Sequence, residues 1–319
     1  MNHELRPKAG SAVSLRKGIS KLCPKAPLLI AVSFIELSGL QGCAARRTPA
    51  KNENIAVLVG AGDIADCTNL AGAEATAKLL ERIPGTVMAV GDLAYPDGKP
   101  ENFVCYDKTW GRVKSRTRPA VGNHEFHSAG AAYYFQYFGG DAGDPNKGYY
   151  SYELGSWHVV VLNSECVEAG GCGAESPQGG WLRADLEAHP AACTLAYFHK
   201  PLFSSGGAHG DDLLVKPLWE ALYAANADVV VNGHDHDYER FAPQTPDGTP
   251  DAARGIREFV AGTGGKSHRP FGPPHANSEV RDTEAFGVLK LTLLPGRYRW
   301  EFVPEEGKTF TDSGSGTCH

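Results

Sequence analysis

The feature that most constrains the fold is a short apolar strand followed by a polar group, repeated along the chain. Residues 55–59 form an apolar run that ends shortly before Asp63, and residues 86–90 form another that ends before Asp92. Between them, apolar residues recur every three or four positions over residues 70–83, which predicts an amphipathic helix. Two strands joined through a helix are expected to be parallel, with a right-handed crossover. We therefore expect Asp63 and Asp92 at the same edge of one sheet.

The same pairing of strand and polar group recurs further along the chain. Helices are predicted over residues 180–189 and 214–226, between some of these strands. Because the polar groups all follow strands, they are expected to meet where α/β folds bind ligands, beyond the carboxyl ends of the strands. The further strands are residues 119–121, 157–162, 194–198 and 229–231, and the groups after them are Gly122-Asn123-His124-Glu125, Asn163-Ser164, His199-Lys200-Pro201 and Gly233-His234-Asp235-His236.

The end of the chain has a different pattern. Residues 258–261, 287–294 and 297–303 alternate apolar and polar side chains without helices between them. This alternation predicts antiparallel strands that close a second sheet. Pro295-Gly296 is expected to form the hairpin turn between the last two strands.

The first 43 residues differ from the rest and predict an export leader. A basic opening precedes a mostly apolar run over residues 26–40, which ends in Leu-Gln-Gly-Cys at Cys43. This order resembles a bacterial lipoprotein signal, with a lipid on Cys43 as the predicted contact with a membrane. An ordinary cleaved signal, or a basic leader from a misassigned start, is the alternative. The expected location is periplasmic, cell-surface or secreted, with residues 44–54 as a linker and residues 55–319 as the folded domain.

The charge of the folded part argues against polyanionic partners. Residues 1–42 carry six Lys or Arg and two Asp or Glu, so the formal charge without them is four units more negative than the −6 of the whole chain, that is −10. An acidic protein does not attract nucleic acid through its overall field. We therefore expect no nucleic-acid partner, and any affinity for phosphate must come from a local cationic centre.

The cysteines predict disulfides. Of eight cysteines, six lie after the leader: Cys67, Cys105, Cys166, Cys172, Cys193 and Cys318. Six cysteines in an exported domain suggest three disulfides, whose connectivity the sequence leaves open. Cys166 and Cys172 flank a glycine-rich loop and are the best candidates for a local pair. A thiolate metal site is the weaker alternative, since no Cys-x-x-Cys spacing occurs.

The residues at the strand ends form a set of metal ligands. Carboxylate, amide, phenol and imidazole groups suit iron, zinc or manganese, and no soft sulfur ligand is among them. One carboxylate shared by two ions would hold them roughly 3.5 to 4 Å apart, as in two-metal ester hydrolysis. The set is Asp63, Asp92, Tyr95, Asn123, His124, His199, His234 and His236.

Five motifs in order carry a resemblance to a known family. They read GDIA from Gly62, GDLAY from Gly91, GNHE from Gly122, YFHKP from Tyr197 and GHDH from Gly233. Together they resemble the calcineurin-like metallophosphoesterases, and within these the purple acid phosphatases in their short form. Most metallophosphoesterases have a ligand histidine where this chain has Ala65. Purple acid phosphatases replace it with a tyrosine in the second motif, and Tyr95 is present.

The resemblance implies a ligand set and a fold. It assigns Asp63, Tyr95 and His236 to a ferric ion, Asp92 to a bridge, and the amide and remaining histidines to a divalent iron, zinc or manganese ion. His124 would face the phosphate and protonate the leaving alkoxide, and His209 is the candidate for a second substrate-binding histidine. The implied fold is a four-layer α/β/β/α sandwich with two mixed sheets. The divalent site comprises Asn123, His199 and His234.

The implied function is a binuclear acid phosphatase that hydrolyses small phosphomonoesters by a metal-bound hydroxide. A phosphodiesterase or nucleotidase on the same metals is one alternative, and a non-catalytic metal-binding surface protein is another. Taken singly, each of these residues has a structural explanation such as a turn or a core aromatic. The neighbours of the last motif are expected to support the site: Asp235, Asp237, Tyr238, Glu239 and Arg240. No role is assigned to His127, His158, His189, His268 and His275.

Overall fold

The computed structural model describes residues 55–319, so the predicted leader and linker lie outside the described residues. Within this part of the chain, no helix is both long and apolar enough to cross a bilayer. Its α-helices are α1 (Ala71–Arg82), α2 (Pro100–Lys108), α3 (Asn123–Phe126), α4 (Ala132–Phe138), α5 (Pro177–Ala188) and α6 (Lys216–Ala224), and short 3₁₀ helices span Trp110–Arg116, Ala129–Ala131, Gly139–Ala142 and Leu213–Val215.

The strands form two large mixed sheets and a small one. The first sheet has the order β15-β14-β13-β1-β3-β5, the second β12-β10-β11-β9-β8-β7-β6, and β2 pairs only with β4. The strands are β1 (Ala56–Ala61), β2 (Ala65–Asp66), β3 (Thr86–Val90), β4 (Ala94–Tyr95), β5 (Thr117–Ala120), β6 (Tyr150–Leu154), β7 (Trp157–Val161), β8 (Thr194–Tyr197), β9 (Val229–Asn232), β10 (Tyr238–Phe241), β11 (Arg257–Ala261), β12 (Ser278–Asp282), β13 (Gly287–Leu294), β14 (Arg297–Pro304) and β15 (Ser313–Thr317).

Alternating side chains on the central strands explain why the two sheets stack. On β1, Leu58 points into a core shared with the second sheet, whereas Val59 packs toward the helices outside the first sheet. On β7, Val159 belongs to the shared core and Val160 to the core beneath α5 and α6. Successive residues of a strand face opposite sides, so strands apolar on both faces are covered on both. The result is the expected four-layer α/β/β/α sandwich.

The parallel unit predicted at the start of the domain is present. β1 and β3 are parallel neighbours, with Leu58 opposite Thr86 and Ala61 opposite Ala89, and α1 connects them. β8 and β9 are likewise parallel neighbours in the second sheet. The carboxyl ends of five strands carry the five motifs: β1, β3 and β5 in the first sheet and β8 and β9 in the second.

The prediction that the three late strands together close a second sheet is wrong. β13 and β14 form the expected hairpin, but β13 pairs with β1 and so extends the first sheet. β11 lies in the second sheet, parallel to β9 and antiparallel to β10. Alternation of side chains reports that a strand has two different faces, but it does not specify its partner strand.

Two predicted helices differ at their ends. The helix expected at 180–189 begins at Pro177, because Ser176 caps it by accepting a hydrogen bond from the Gly179 amide at 3.1 Å and proline is favoured in the first turn. The helix expected at 214–226 is α6, preceded by a separate 3₁₀ turn.

The prediction of three disulfides is confirmed, including the local pair between Cys166 and Cys172. Cys67 pairs with Cys105, which ties the β2 segment to α2. Cys193 pairs with Cys318, which joins the start of β8 to the segment after β15. These pairings leave none of the six cysteines as a free thiol for the weaker alternative, a thiolate metal site.

Candidate metal centre

The polar motifs meet in one place, where the two sheets end side by side. Asp63 and Asp92 follow β1 and β3 in the first sheet, and His199 and His234 follow β8 and β9 in the second. Hydrogen bonds between the two sheets hold these segments together. The amide of His234 donates to Asp63 Oδ2 at 2.8 Å, and the Nδ1 of His199 donates to the carbonyl of Val90 at 3.0 Å. Residues separated by up to 171 positions in sequence are thereby neighbours.

Three of the predicted ligands have left-handed backbone conformations. The φ angles are 60° at Asp63, 53° at Asp92 and 72° at His234. Side chains other than glycine rarely adopt this region, and each such residue costs on the order of 1 to 3 kcal/mol. The loops nevertheless hold these conformations by backbone hydrogen bonds, such as that from the Asp63 amide to the Gly91 carbonyl at 3.1 Å. Strain concentrated on three converging polar residues is typical of a functional site.

The first group of donor atoms surrounds the phenol of Tyr95. Its hydroxyl lies 2.7 Å from Asp63 Oδ1, 3.0 Å from Asp92 Oδ2 and 3.2 Å from His236 Nε2. His236 Nε2 is also 3.3 Å from Asp63 Oδ1. Tyr95, Asp63, Asp92 and His236 are all buried. The residues that the resemblance assigned to a ferric ion are therefore in mutual contact.

The second group of donor atoms surrounds Nε2 of His199. This nitrogen is 3.1 Å from Asp92 Oδ2 and 3.2 Å from Nδ1 of His234. Asp92, His199 and His234 each offer one ligand atom within 4.8 Å of the others. Asp92 therefore belongs to both groups, which is the position expected for a bridging carboxylate.

Asn123 and His124 lie beside this arrangement at the start of α3. The amide of His124 donates to Asp92 Oδ1 at 2.9 Å, and its Nε2 is 3.8 Å from Asp92 Oδ2. The Oδ1 atom of Asn123 is buried and has no hydrogen-bond partner among the described residues. An unpaired buried acceptor is costly, and a cation next to Asp92 would satisfy it.

His209 also lies at the site, in a loop held by Asp235. The ring of His209 stacks on that of His234 with 4.2 Å between centroids. Asp235 accepts hydrogen bonds from the hydroxyl of Ser204 at 2.6 Å and from the amide of Gly210 at 3.0 Å. Burial lowers the pKa of His209. Asp235 thus has the supporting position expected from the sequence, and it fixes the loop rather than contacting the donor groups.

The site concentrates negative charge on the buried carboxylates of Asp63 and Asp92. Burial, followed by the Asp63 and Asp92 carboxylates, raises the pKa of Tyr95 well above its usual value. Burial opposes ionisation of Asp92, but His199 and His124 outweigh it and lower the pKa of that carboxyl. Among residues 55–319, the carboxylates of Asp63 and Asp92 form ion pairs only with histidines.

The pKa values of the two histidines in the second group are shifted in opposite directions. Burial disfavours the charged ring of His199, but Asp92 and then Asp63 raise its pKa to about 10. Burial and the neighbouring His199 lower the pKa of His234 to about 2. A bound cation would replace the proton that Asp92 attracts to Nε2 of His199, because metal ligation requires the deprotonated ring.

These residues fit a pair of metal ions. The donor atoms are the hard oxygen and nitrogen types that iron, zinc and manganese accept. Nδ1 of His199 donates to the Val90 carbonyl and Nδ1 of His236 lies 2.7 Å from the Ser267 hydroxyl, so each ring presents Nε2 to the cluster. A hydrogen bond of this kind orients a ligand histidine and fixes its tautomer.

Sequence reasoning missed the role of Glu125, which organises the loop that carries Asp92. Its buried carboxylate accepts hydrogen bonds from the amides of Gly122 at 2.9 Å, Asp92 at 3.0 Å, Leu93 at 2.8 Å and Ala94 at 3.2 Å. The acidic fourth position of the GNHE motif was the available indication. Ser267 was also missed, and nothing in its local sequence marks it.

Histidines without a predicted role lie elsewhere or at the margin. His158 and His189 form a separate cluster with Asp185. His275 pairs with Asp211 at 2.9 Å, and the ring of His268 stacks on Phe286. His127 is the exception, because its ring centroid lies 4.6 Å from that of His124.

The remaining neighbours of the GHDH motif are structural. Tyr238, Glu239 and Arg240 lie on the buried strand β10. Glu239 accepts from Ser205, and Arg240 pairs with Asp312 at 2.6 Å. Burial, then the carboxylates of Asp235 and Glu239, raises the pKa of Asp237.

Comparison with known proteins identifies the family. Residues 45–238, more than half of the chain, match the family model described as calcineurin-like phosphoesterase. All five strand-end motifs, three from the first sheet and two from the second, fall in that range, so the match includes the donor cluster. The chain belongs to the calcineurin-like phosphoesterase family.

Within that family, the chain is similar to purple acid phosphatases. Purple acid phosphatase 18 of Arabidopsis thaliana is 30% identical over 165 residues, which cover 48% of this chain and 36% of that protein. Purple acid phosphatase 23 of the same plant is 28% identical over 200 residues, covering 51% and 43%. The matched regions are therefore less than half the length of these relatives.

The fold is shared with a solved purple acid phosphatase, PPD1 from yellow lupin (Lupinus luteus) seeds. The two structures superpose with a TM-score of 0.67 over 82% of this chain and 54% of that chain, at 18% identity. A similarity at this identity concerns the fold alone.

Proposed function

We propose that this protein is a binuclear-metal phosphoesterase that hydrolyses phosphomonoesters, of the acid phosphatase type. The observation that carries the proposal is the convergence of the two donor groups on Asp92, which faces both Tyr95 and His199 at 3.0 and 3.1 Å. Family membership and the similarity to purple acid phosphatases support the same reading.

In this proposal, the first group holds a ferric ion and the second a divalent iron, zinc or manganese ion. Asp63, Tyr95 and His236 belong to the first, and Asn123, His199 and His234 to the second, with Asp92 between them. When bound, the two ions would lower the pKa of a water molecule to supply a hydroxide nucleophile and would neutralise the phosphoryl oxygens. The phenol of Tyr95 favours a trivalent ion, since an anionic oxygen is a hard ligand.

The residues of the chain then position the ester and manage its protons. The Nδ1 of His124 lies 2.5 Å from the carbonyl of Pro96, so Nδ1 carries a hydrogen and Nε2 faces the cluster. As water oxygen bonds to phosphorus and the ester bond between phosphorus and oxygen breaks, His124 acts as the general acid and gives a proton from Nε2 to the departing alkoxide. His209, stacked on His234, would donate to a phosphoryl oxygen.

The nature of the ester is the second part of the proposal. A monoester presents three unsubstituted phosphoryl oxygens to two cations and His124, and this match favours monoesters over diesters. A phosphodiesterase or nucleotidase would use the same donor residues. A non-catalytic surface protein would not need His124 beside the cluster, so the presence of this histidine favours an enzyme.

Export, and a lipid on Cys43, remain predictions that concern residues outside the described ones. The proposed organisation is a leader over residues 1–43, a linker over residues 44–54 and a catalytic domain over residues 55–319. The only membrane contact in this proposal is the lipid, and the partner is a small phosphate ester.

The test combines metal analysis with turnover. Purified protein should contain two metal ions per chain, hydrolyse p-nitrophenyl phosphate faster than its bis ester, and lose activity when a chelator removes the metals. A visible charge-transfer band would identify a ferric ion bound to Tyr95. Asp92→Asn and His234→Ala should each lower both metal content and turnover by at least about a hundredfold, because even residues that only orient a ligand contribute 10- to 100-fold.

Specific outcomes would contradict the proposal. Turnover that survives removal of the metals would exclude metal-dependent catalysis. Faster hydrolysis of the bis ester would favour the phosphodiesterase alternative. A colourless, fully active enzyme with zinc or manganese in both sites would refute the ferric assignment but not the binuclear one.

A further inference from the structure

A groove leads away from the candidate metal centre along the surface. A cavity of 310 Å³ is bordered by Asn123 and His127, next to the predicted ligands and His124. A second cavity of 440 Å³ extends to Pro217. Cys166, Val167 and Leu214 line both cavities, so the two form one continuous depression, which we call the Val167 groove.

The outer part of the Val167 groove is unusually apolar. Val167 is 86% exposed, Leu213 69% and Leu214 63%. The other exposed large hydrophobic side chains of the described residues, Ile55 and Val104, do not line it. Single exposed apolar residues need no explanation, but a cluster of three beside a candidate active site indicates a ligand surface.

The walls of the groove are held in place before any ligand binds. The disulfide between Cys166 and Cys172 closes the short loop that carries Val167. The Sγ of Cys166 lies 3.5 Å from the carbonyl oxygen of Leu214, and Val215, the next residue, is fully buried. A preformed apolar surface binds with a smaller entropic cost than one that must first be ordered.

The inner part of the groove disfavours anions. Lys200 is occupied by Glu165, with 2.9 Å between Nζ and Oε2, and it lies 3.9 Å from Asp212. The other carboxylate oxygen of Glu165 is buried without a hydrogen-bond partner among the described residues. Glu168 adds a further negative charge to the lining. A leaving group that carries extra phosphates or carboxylates would therefore be repelled.

From this combination we infer that the Val167 groove binds the apolar alcohol portion of the substrate, so that phosphomonoesters of uncharged alkyl or aryl alcohols are preferred. The inference rests on the proposed function, since it places the phosphate at the metal centre and the alcohol in the groove. Two features favour this occupant over a partner protein. The groove is continuous with the site through Asn123, its outer part is apolar, and its acidic inner part repels alcohols that carry negative charge.

The experiment compares two esters that differ only in apolar length. Ethyl phosphate and n-hexyl phosphate have alcohols of similar reactivity, so a difference in kcat/KM reports contacts of the longer chain. The wild-type protein should prefer hexyl phosphate by about tenfold or more, since even one methylene in a hydrophobic pocket contributes about tenfold. The double variant Val167→Asn, Leu214→Asn should lose most of this preference and keep its kcat/KM for ethyl phosphate.

Val104→Asn is the matched control, because it removes an apolar side chain that is 51% exposed on α2, away from the groove. It should leave both esters unaffected. Equal turnover of the two esters by the wild-type protein, or an equal loss for both in the double variant, would overturn the inference while the proposed function stands.

Two other results have distinct meanings. No turnover of either ester by metal-loaded protein would overturn the proposed function and this inference with it. A double variant that hydrolyses hexyl phosphate normally but shows altered sedimentation, or weaker binding to phosphatidylcholine vesicles, would make the groove a protein or membrane contact and would overturn the inference alone.

Discussion

Residues 55–319 contain two clusters of histidine and aspartate, and they differ in what the histidine nitrogens contact. In the candidate metal centre, Nδ1 of His199 faces a backbone carbonyl and Nε2 faces Asp92 and a second imidazole. In the other cluster, Nδ1 of His158 lies 2.8 Å from Glu153 and Nε2 lies 2.8 Å from Asp185.

These contacts distinguish His199, a candidate metal ligand, from His158, which forms ion pairs with two carboxylates. Both nitrogens of His158 need a hydrogen to satisfy the two carboxylates. Burial opposes the charged ring, but the hydrogen bonds to Asp185 and Glu153 outweigh it and raise the pKa of His158. His158 therefore donates from both ring nitrogens to carboxylates, whereas His199 donates from Nδ1 to a backbone carbonyl and directs Nε2 at a point that Asp92 and His234 share. The proximity of His and Asp residues alone does not define a metal site.

The largest expected effect tests the metal side of this comparison. His199→Ala should lower bound metal and phosphatase turnover by at least about a hundredfold, since a residue that only orients a ligand already contributes 10- to 100-fold. His158→Ala, the matched change in the other cluster, should leave both unchanged. Elemental analysis and p-nitrophenyl phosphate turnover measure the two effects. Metal loss in His158→Ala would show that the second cluster is a ligand site after all.

An intermediate effect, on stability, is expected when the ion pair of His158 is removed. His158→Ala should lower the free energy of unfolding by about 1.5 to 3 kcal/mol, because the buried Asp185 loses a charged hydrogen-bond partner while it keeps Ser151 and His189. Urea denaturation followed by circular dichroism at pH 6 measures this loss. A change below about 0.5 kcal/mol, the usual range for surface substitutions, would mean that the pair is not structural.

The smallest effect is the pH dependence of the same pair. The folded-state pKa of His158 is raised, so its stabilisation is fully present below the unfolded pKa of about 6.5 and is lost as pH rises through the folded value. The stability difference between wild type and His158→Gln should therefore shrink by about 1 to 2 kcal/mol between pH 6 and pH 9, the usual contribution of hydrogen bonds to charged groups. A difference that grows with pH would contradict the imidazolium assignment.

The arrangement of strands shows which parts of the fold could be predicted from the sequence. Asp63 and Asp92 could be placed at one sheet edge because a strand, a helix and a strand leave few ways to connect parallel neighbours. The pairing of β13 with β1 could not be predicted in this way, since an alternating strand fits the edge of either sheet equally well.

Within the candidate site, the sequence marked the residues that bring donor atoms but not those that aim them. Glu125 was visible as part of a motif, yet its four amide partners depend on how the Asp92 loop folds around it. Ser267 belongs to a loop 31 residues away from the ring of His236 that it contacts. A partner of this kind has no fixed spacing from the residue it orients, so no sequence pattern reveals it.

The sequence by itself determined which side chains are available, in what order, and after which strands, because periodicity and motif spacing are local properties of the chain. The tertiary structure alone decided that Nδ1 of His199 meets a backbone carbonyl while Nδ1 of His158 meets a carboxylate. Packing of the two sheets brings the Val90 carbonyl to Nδ1 of His199, whereas strand pairing within the second sheet places Glu153 opposite His158. Tertiary contacts also place Val167 and Leu214, remote in sequence, along one groove beside the site.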